Sequence, residues 1–175
     1  ARWVPDMPAV VPTMVSGLMS TGGKSAAFAA FLLVFGPDVL GAAAPIREVM
    51  AVLAALSMIV GNVVAISQTS VKRMLAYSSV AHAGYILTGV IAANADGTNG
   101  VMFYLLAYTL MNVGAFGVLS ILETATMDNV RIDDLSGLGR TSPWLAGLMA
   151  LFMFSLSGIP PFAGFFGKYY VFTGA

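Results

Sequence analysis

Lys24, His82 and Lys168 are the side chains best placed to do chemistry, because each stands in a stretch otherwise fit for hydrocarbon. Lys24 interrupts STGGKSAAFAAFLLVF (residues 20–35), His82 lies in SSVAHAGY (78–85), and Lys168 comes seven residues after the tetrapeptide GIPP (158–161). A charged lysine at the centre of a bilayer costs about 3 kcal/mol on insertion scales, so it marks by default a functional site or an internal pair. An amine and an imidazole share one capacity, which is to take up and release a proton, and imidazole does so near neutral pH. The acidic residues are Asp6, Asp38, Glu48, Asp96, Glu123, Asp128, Asp133 and Asp134, and all fall in predicted loops or at span ends. With no carboxylate of this chain beside them, the two lysines are expected to look to water or to helices outside this chain. An amine in a low-dielectric surrounding without a fixed counter-charge responds to any mobile charge nearby, and that is the physical basis of a switchable proton carrier.

The neighbours sharpen this expectation. Thr13, Ser16, Ser20 and Lys24 are spaced 3, 4 and 4, with Thr21 beside them, which sets them on one helical face. Past Lys24 the same face continues as Ala27, Phe28 and Phe31, so it is polar on one side of the lysine and apolar on the other. A water-accessible half-path ending at Lys24 requires this pattern, although hydroxyl stripes also serve helix association. His82 shares a face with Ser78 and Tyr85, and Tyr104, Tyr108 and Asn112 form a similar face on the next apolar stretch. The proton relay predicted from these residues is Lys24, Lys168 and His82, supported by Ser16, Ser20, Thr21, Ser78, Tyr85 and Tyr108. The alternatives are a Lys24 held by carbonyls or an acid of a neighbouring helix, and a His82 that only hydrogen-bonds between helices. Lys72 and Arg73 read as topology anchors at the mouth of a span. The GGKS tetrapeptide is no phosphate-binding loop, because Leu18 stands where the pattern needs glycine and the segment has the length of a membrane helix.

Composition says what must position these groups. Hydrophobic residues make up 58% of the chain and charged ones 9%, with a mean hydropathy of +0.87, against a usual charged share of roughly a quarter. An all-α bundle spanning a bilayer several times is the fold that follows, a single transmembrane domain over residues 1–175. Windows of about 20 apolar residues give spans at 12–35, 50–67, 74–93 and 101–122, and a fifth from Trp144 that is broken at 158–161, where two prolines cannot continue a helix. In the first span Lys24 lies roughly 17 Å from either surface at 1.5 Å per residue, beyond the reach of snorkelling. If the spans alternate, one side carries Arg2, Lys72, Arg73, Arg131 and Arg140 and the other only Arg47, which places the first side in the cytoplasm. Eight basic and eight acidic residues cancel, and no basic block points to nucleic acid. Without cysteine and with a single histidine, the chain can supply neither thiolate-held zinc or iron–sulfur clusters nor a bis-histidine haem. Neither end reads as a natural terminus, so the expectation is a piece of a longer polytopic protein.

WVPD (3–6), STGGKSAAF, QTSVKRMLAYSSVAHAGY (68–85), FYLLAYTLMNVGAF (103–116), DDLSGLGR (133–140) and SLSGIPPFAGFFGKYYVF together resemble the antiporter-like subunits of bacterial respiratory complex I, and in particular the N type. The M type has glutamate at the position of Lys168, and the L type differs around KRMLAYSS. The resemblance implies helices eight to twelve of fourteen, with Lys24 and Lys168 on a hydrated axis at mid-membrane that relays protons. It implies no cofactor in this chain, while partner subunits carry flavin, iron–sulfur clusters and quinone. Neighbouring antiporter-like and small membrane subunits would be its partners, in the bacterial inner membrane as a multi-pass chain. After WVPD the family has a stretch like VYEGAPTPV, whereas this chain has MPAVVPTMV. The rival is an Mrp-type cation/proton antiporter subunit, which shares the fold and needs no electron donor; a lipid- or pigment-binding scaffold with His82 as ligand is a third.

Overall fold

The computed structural model describes residues 12–36, 39–40, 44–126 and 130–175; Arg2, Asp6, Asp38, Asp128 and most of the MPAVVPTMV stretch lie outside the described residues. Among the described residues there are seven α-helices: α1 (Thr13–Val34), α2 (Ala44–Ile66), α3 (Val71–Ile91), α4 (Ala95–Thr126), α5 (Leu138–Thr141), α6 (Pro143–Ser157) and α7 (Ala163–Gly174). A 3-10 turn, Asp133–Leu135, precedes α5. The four helices α1 to α4 are long and apolar enough to cross a membrane, and they answer to the first four predicted spans.

Their ends differ from the sequence windows for one reason. A charged residue ends an apolar run, but it does not end a ladder of backbone hydrogen bonds. Thus α2 and α3 begin early enough to include Arg47, Glu48, Lys72 and Arg73, and α4 runs past residue 122 to take in Glu123 and Thr124. At 32 residues α4 is about 48 Å long, well over the roughly 30 Å of hydrocarbon. The fifth span is two pieces of 15 and 12 residues, α6 and α7.

Residue types explain the stop between those pieces. Gly158 takes a left-handed conformation, φ 86°, that costs a residue without Cβ nothing. Its N–H returns to the Ser155 carbonyl at 3.1 Å and that of Ile159 to Phe154 at 3.1 Å, the reciprocal pair of a Schellman ending. Pro160 and Pro161 then bar any continuation, and α7 begins at Ala163.

Small residues set how closely the helices approach. A Cβ at Gly61 would lie 2.6 Å from the backbone nitrogen of Ala81, and one at Gly84 would lie 2.8 Å from the Ala54 carbonyl. Glycine therefore lets the α2 and α3 backbones come into contact, as at many helix crossings in membranes. Helix α4 is the hub and touches α1, α3, α6 and α7. Its buried side chains feed two apolar clusters, one around Leu75, Met111, Phe116, Leu119 and Met149, the other around Ile86, Val90, Val101, Tyr104 and Val171. The outward face of α2 is apolar and exposed at Val52, Leu56, Ile59, Val63 and Ile66, which water disfavours and lipid accepts.

The two ends of the bundle are distinct. At one, Ser70 bridges Arg131 and the Val71 N–H donates to Val130, beside Lys72, Glu123 and Thr13. At the other, the Asn94 amide donates to the Gly174 carbonyl at 2.7 Å. Up-and-down alternation of the helices produces this grouping, and it gathers Lys72 and Arg131 at the end that the charge bias assigns to the cytoplasm.

Candidate functional site

The predicted polar stripe of α1 turns inward against α4. Thr13, Ser16 and Thr21 are buried, and Lys24 is half-buried. The two helices run antiparallel: the Thr13 hydroxyl donates to Glu123, the Asn112 amide donates to the Ser20 hydroxyl at 2.6 Å, and Ser25 meets Thr109 at 3.3 Å. Part of the stripe also serves its own helix. Ser20 and Thr21 both donate to the Gly17 carbonyl, at 2.9 and 2.8 Å, as hydroxyls in apolar helices commonly do.

Lys24 reaches across to α3, where its ammonium donates to the Ser79 carbonyl and stands 6.0 Å from the centre of the Tyr108 ring. Lys168 solves the same problem with the helix break. The Schellman ending closes the Phe154 and Ser155 carbonyls but leaves those of Leu156 and Ser157 without helical donors. Lys168 Nζ folds back over Gly158 and donates to both, at 3.1 and 3.0 Å. A cation at a helix C-terminus also meets the favourable end of the helix dipole. Each lysine is thus solvated by backbone carbonyls: Lys24 by one of the neighbouring helix α3, the alternative named for it from the sequence, and Lys168 by two at the end of α6. Among the described residues neither makes an ion pair with a carboxylate.

Between them lies a buried aromatic bridge. His82, 3% exposed, sits with its ring 5.1 Å from that of Tyr108 and 5.7 Å from that of Tyr85. The Tyr85 ring in turn lies 5.0 Å from the ammonium of Lys168. His82 Nδ1 and the Tyr104 hydroxyl share a hydrogen bond of 2.5 Å, and the Asn62 amide donates to the Tyr85 hydroxyl at 3.1 Å. The Tyr108 hydroxyl is buried near Ser79 and has no partner in hydrogen-bond geometry among the described residues. A pocket of about 370 Å³ opens onto Asn62, Ser78, His82, Tyr85, Ser157 and Lys168. Its lining is mostly apolar but offers these polar groups as partners, and its volume is enough for several water molecules, each of which needs about 30 Å³.

Sequence reasoning named every member of this line, since Lys24, Tyr108, His82, Tyr85 and Lys168 each stood out by depth or by face. It did not find Ser79, whose contribution is a main-chain oxygen, nor the pairing at the end of α4. There Lys72, read as an anchor, is 4% exposed and its ammonium lies 4.0 Å from the Glu123 carboxylate. The signal was available: counting on from Asn112 in helical steps through Phe116 brings Glu123 onto the face that meets α1. Among the described residues no group of three His, Cys, Asp or Glu side chains could hold a metal ion.

Comparison with known proteins accords with this arrangement. The family described as NADH:quinone oxidoreductase/Mrp antiporter, transmembrane region, matches residues 1–175. A protein of Roseiflexus castenholzii named NADH-quinone oxidoreductase subunit N 2 is 49% identical over 99% of this chain and 36% of its own length. NADH-quinone oxidoreductase subunit N of Trichlorobacter lovleyi is 47% identical over 99% of this chain and 36% of its own length. A chain of respiratory complex I from Thermus thermophilus, solved with bound aureothin, superposes with a TM-score of 0.81 at 43% identity, covering 99% of this chain and 37% of that one. The chain therefore spans about a third of the length of the relatives it matches. Its polytopic helical bundle, its inward-facing lysines and a match along its whole length place it in the NADH:quinone oxidoreductase/Mrp antiporter transmembrane family.

Proposed function

We propose that this chain is part of a proton-translocating membrane subunit of NADH:quinone oxidoreductase, and that Lys24, His82 and Lys168 are its proton relay. One observation carries most of the weight: two lysines held by backbone carbonyls, with no carboxylate partner among the described residues, are linked through Tyr108, His82 and Tyr85 inside the bundle. Carbonyl oxygens solvate an ammonium but do not take its proton, so the proton is free to move on to a hydroxyl, an imidazole or water. The chain works as a non-redox subunit. Flavin, iron–sulfur clusters and quinone belong to partner subunits, and its membrane partners are neighbouring antiporter-like and small subunits of the complex in the bacterial inner membrane.

In this scheme a proton reaches Lys24 along the Ser16–Ser20–Thr21 side of α1. It crosses through Tyr108, His82 and water in the pocket beside Ser78 and Tyr85, and arrives at Lys168. The family description also covers Mrp antiporters, while the names of the similar relatives favour the oxidoreductase. The test is to purify the full-length chain from its own membranes. It is expected to bring with it subunits containing flavin and iron–sulfur clusters, together with NADH-driven proton uptake into reconstituted vesicles that a Lys24→Ala/Lys168→Ala double variant loses. Purification without redox subunits, with cation/proton exchange in vesicles, establishes the antiporter instead. Undiminished proton uptake by the double variant refutes the relay.

A further inference from the structure

At the end of the bundle assigned to the cytoplasm, three helices converge on one carboxylate. Glu123 of α4 accepts a hydrogen bond from the Thr13 hydroxyl of α1 on Oε2, and Lys72 of α3 lies 4.0 Å from the same oxygen. The two charged side chains are only 17% and 6% exposed. The other oxygen, Oε1, is buried and meets no donor among the described residues. Leaving a buried acceptor unmet is costly, and a carboxylate oxygen so placed is satisfied by a proton or by a water that delivers one. An ion pair this dry is weak evidence for a purely stabilising role, because its desolvation offsets much of its attraction.

Its position adds the rest. Thr13 is the first residue of the stripe that leads through Ser16 and Ser20 to Lys24, eleven residues or about 17 Å further along α1. Hydroxyls along such a stripe can pass a proton but cannot store one. Among the described residues on the α1 and α4 faces between Lys24 and that end of the bundle, Glu123 is the side chain able to hold a proton as a neutral acid. The stripe is also interrupted. At Gly17 the Phe116 side chain presses against α1 so closely that a Cβ there would lie 2.7 Å from Phe116 Cβ. Glu123, Thr13 and Ser16 thus form an outer polar station, and Ser20, Asn112 and Lys24 an inner one, with an apolar barrier between. A proton that must wait outside such a barrier needs a group to wait on.

Building on the relay proposed above, we infer that Glu123 is the proton-loading carboxylate of the Lys24 path, with Lys72 as its releasable counter-ion. Glu123 takes a proton from a hydronium ion at the cytoplasmic end, leaving neutral water, and the loss of its charge frees Lys72. When Phe116 yields, the carboxyl gives the proton through Ser16, Ser20 and intervening water to the amine of Lys24. The carboxylate is restored, Lys24 becomes an ammonium, and Lys72 returns. No other bond is made or broken.

The experiment uses the full-length subunit in the assembled complex, measuring assembly by native electrophoresis and NADH-driven proton uptake in vesicles. Four variants are compared: Glu123→Gln, Glu123→Asp, Lys72→Met, and Glu123→Gln with Lys72→Met. A proton-loading role predicts that Glu123→Gln loses most of its proton uptake, Glu123→Asp retains most of it, Lys72→Met loses less than Glu123→Gln, and the double variant is as poor as Glu123→Gln. A structural ion pair predicts the opposite for the double variant, since removing both charges relieves the strain of removing one. Recovery of uptake in the double variant, or full uptake by Glu123→Gln, overturns the proposal. So does loss of assembly by both Gln-containing variants. Lys24→Ala measured beside them separates the two levels: if it pumps fully, the relay itself fails, whereas if it is impaired while Glu123→Gln is not, only the role of Glu123 falls.

Discussion

Replacing Lys24 with alanine should leave the complex assembled and its proton uptake substantially lowered, and the structure gives the energetics behind that expectation. The ammonium makes one hydrogen bond, to the Ser79 carbonyl, and no ion pair among the described residues. A hydrogen bond to a charged group contributes about 1.5 to 3 kcal/mol, while holding a lysine near the bilayer centre costs about 3 kcal/mol. The two nearly cancel, so stability should change by no more than about 1.5 kcal/mol. Deleting a lysine that neutralised a buried carboxylate would be another matter, costing about 3 to 5 kcal/mol through the charge left behind. Lys24→Met, which keeps the apolar stem, controls for the volume lost in Lys24→Ala. Lys24→Arg should be only partly tolerated, because guanidinium keeps its charge but does not release its proton. Native electrophoresis reads assembly, and quinone reductase activity beside proton uptake in vesicles reads function. Full pumping by Lys24→Ala would refute the relay role, and loss of assembly in both neutral variants would refute the energetics.

Three further outcomes follow from single contacts. Gly84→Val puts a Cβ 2.8 Å from the Ala54 carbonyl and should destabilise the α2–α3 contact by about 1 to 3 kcal/mol; thermal melting of the purified complex should show this, with Gly117→Ala, which meets nothing within 4 Å, unchanged as its control. Ser20→Val leaves the buried Asn112 amide without its partner, so it should cost about 1 to 3 kcal/mol and slow proton transfer without preventing assembly, and unchanged uptake would reduce the stripe to helix association. A cysteine at Ser136, in the turn between the 3-10 segment and α5, should react with an impermeant thiol reagent only from the cytoplasmic face, and labelling from the opposite face would overturn the orientation.

How much of this was legible in the sequence depends on the kind of interaction. Hydropathy and helical spacing report on side chains, so the four long helices, the stop at Gly158 and the inward face of Thr13, Ser16, Ser20 and Lys24 could all be read. Main-chain partners carry no side-chain signature. Nothing in the spelling of residues 78–85 says that the Ser79 carbonyl will receive Lys24, or that Lys168 will turn back onto Leu156 and Ser157. Hydropathy windows also misjudge the helix ends, because a charged residue lowers the average whether it faces water or a partner. Lys72 and Glu123 were therefore set among loops and anchors, although α3 and α4 carry both into a nearly dry contact.

That contrast between the ends and the middle of the bundle bears on how the chain works. At the end, Lys72 meets a carboxylate, a partner that can itself accept a proton. In the middle, Lys24 and Lys168 meet carbonyls, whose dipoles stabilise an ammonium without supplying a rival site for its proton. A carboxylate beside Lys168 would lock it as an ammonium. The C-terminus of α6 instead holds it by a partial charge of about half a unit, weak enough for a proton arriving or leaving nearby to outweigh it. The helix break matters for the same reason, since an unbroken helix through residues 158–161 would have spent the Leu156 and Ser157 carbonyls on its own ladder. Gly158 and the two prolines keep those oxygens open, and the lysine that fills them sits on the pocket that also opens onto His82 and Ser78.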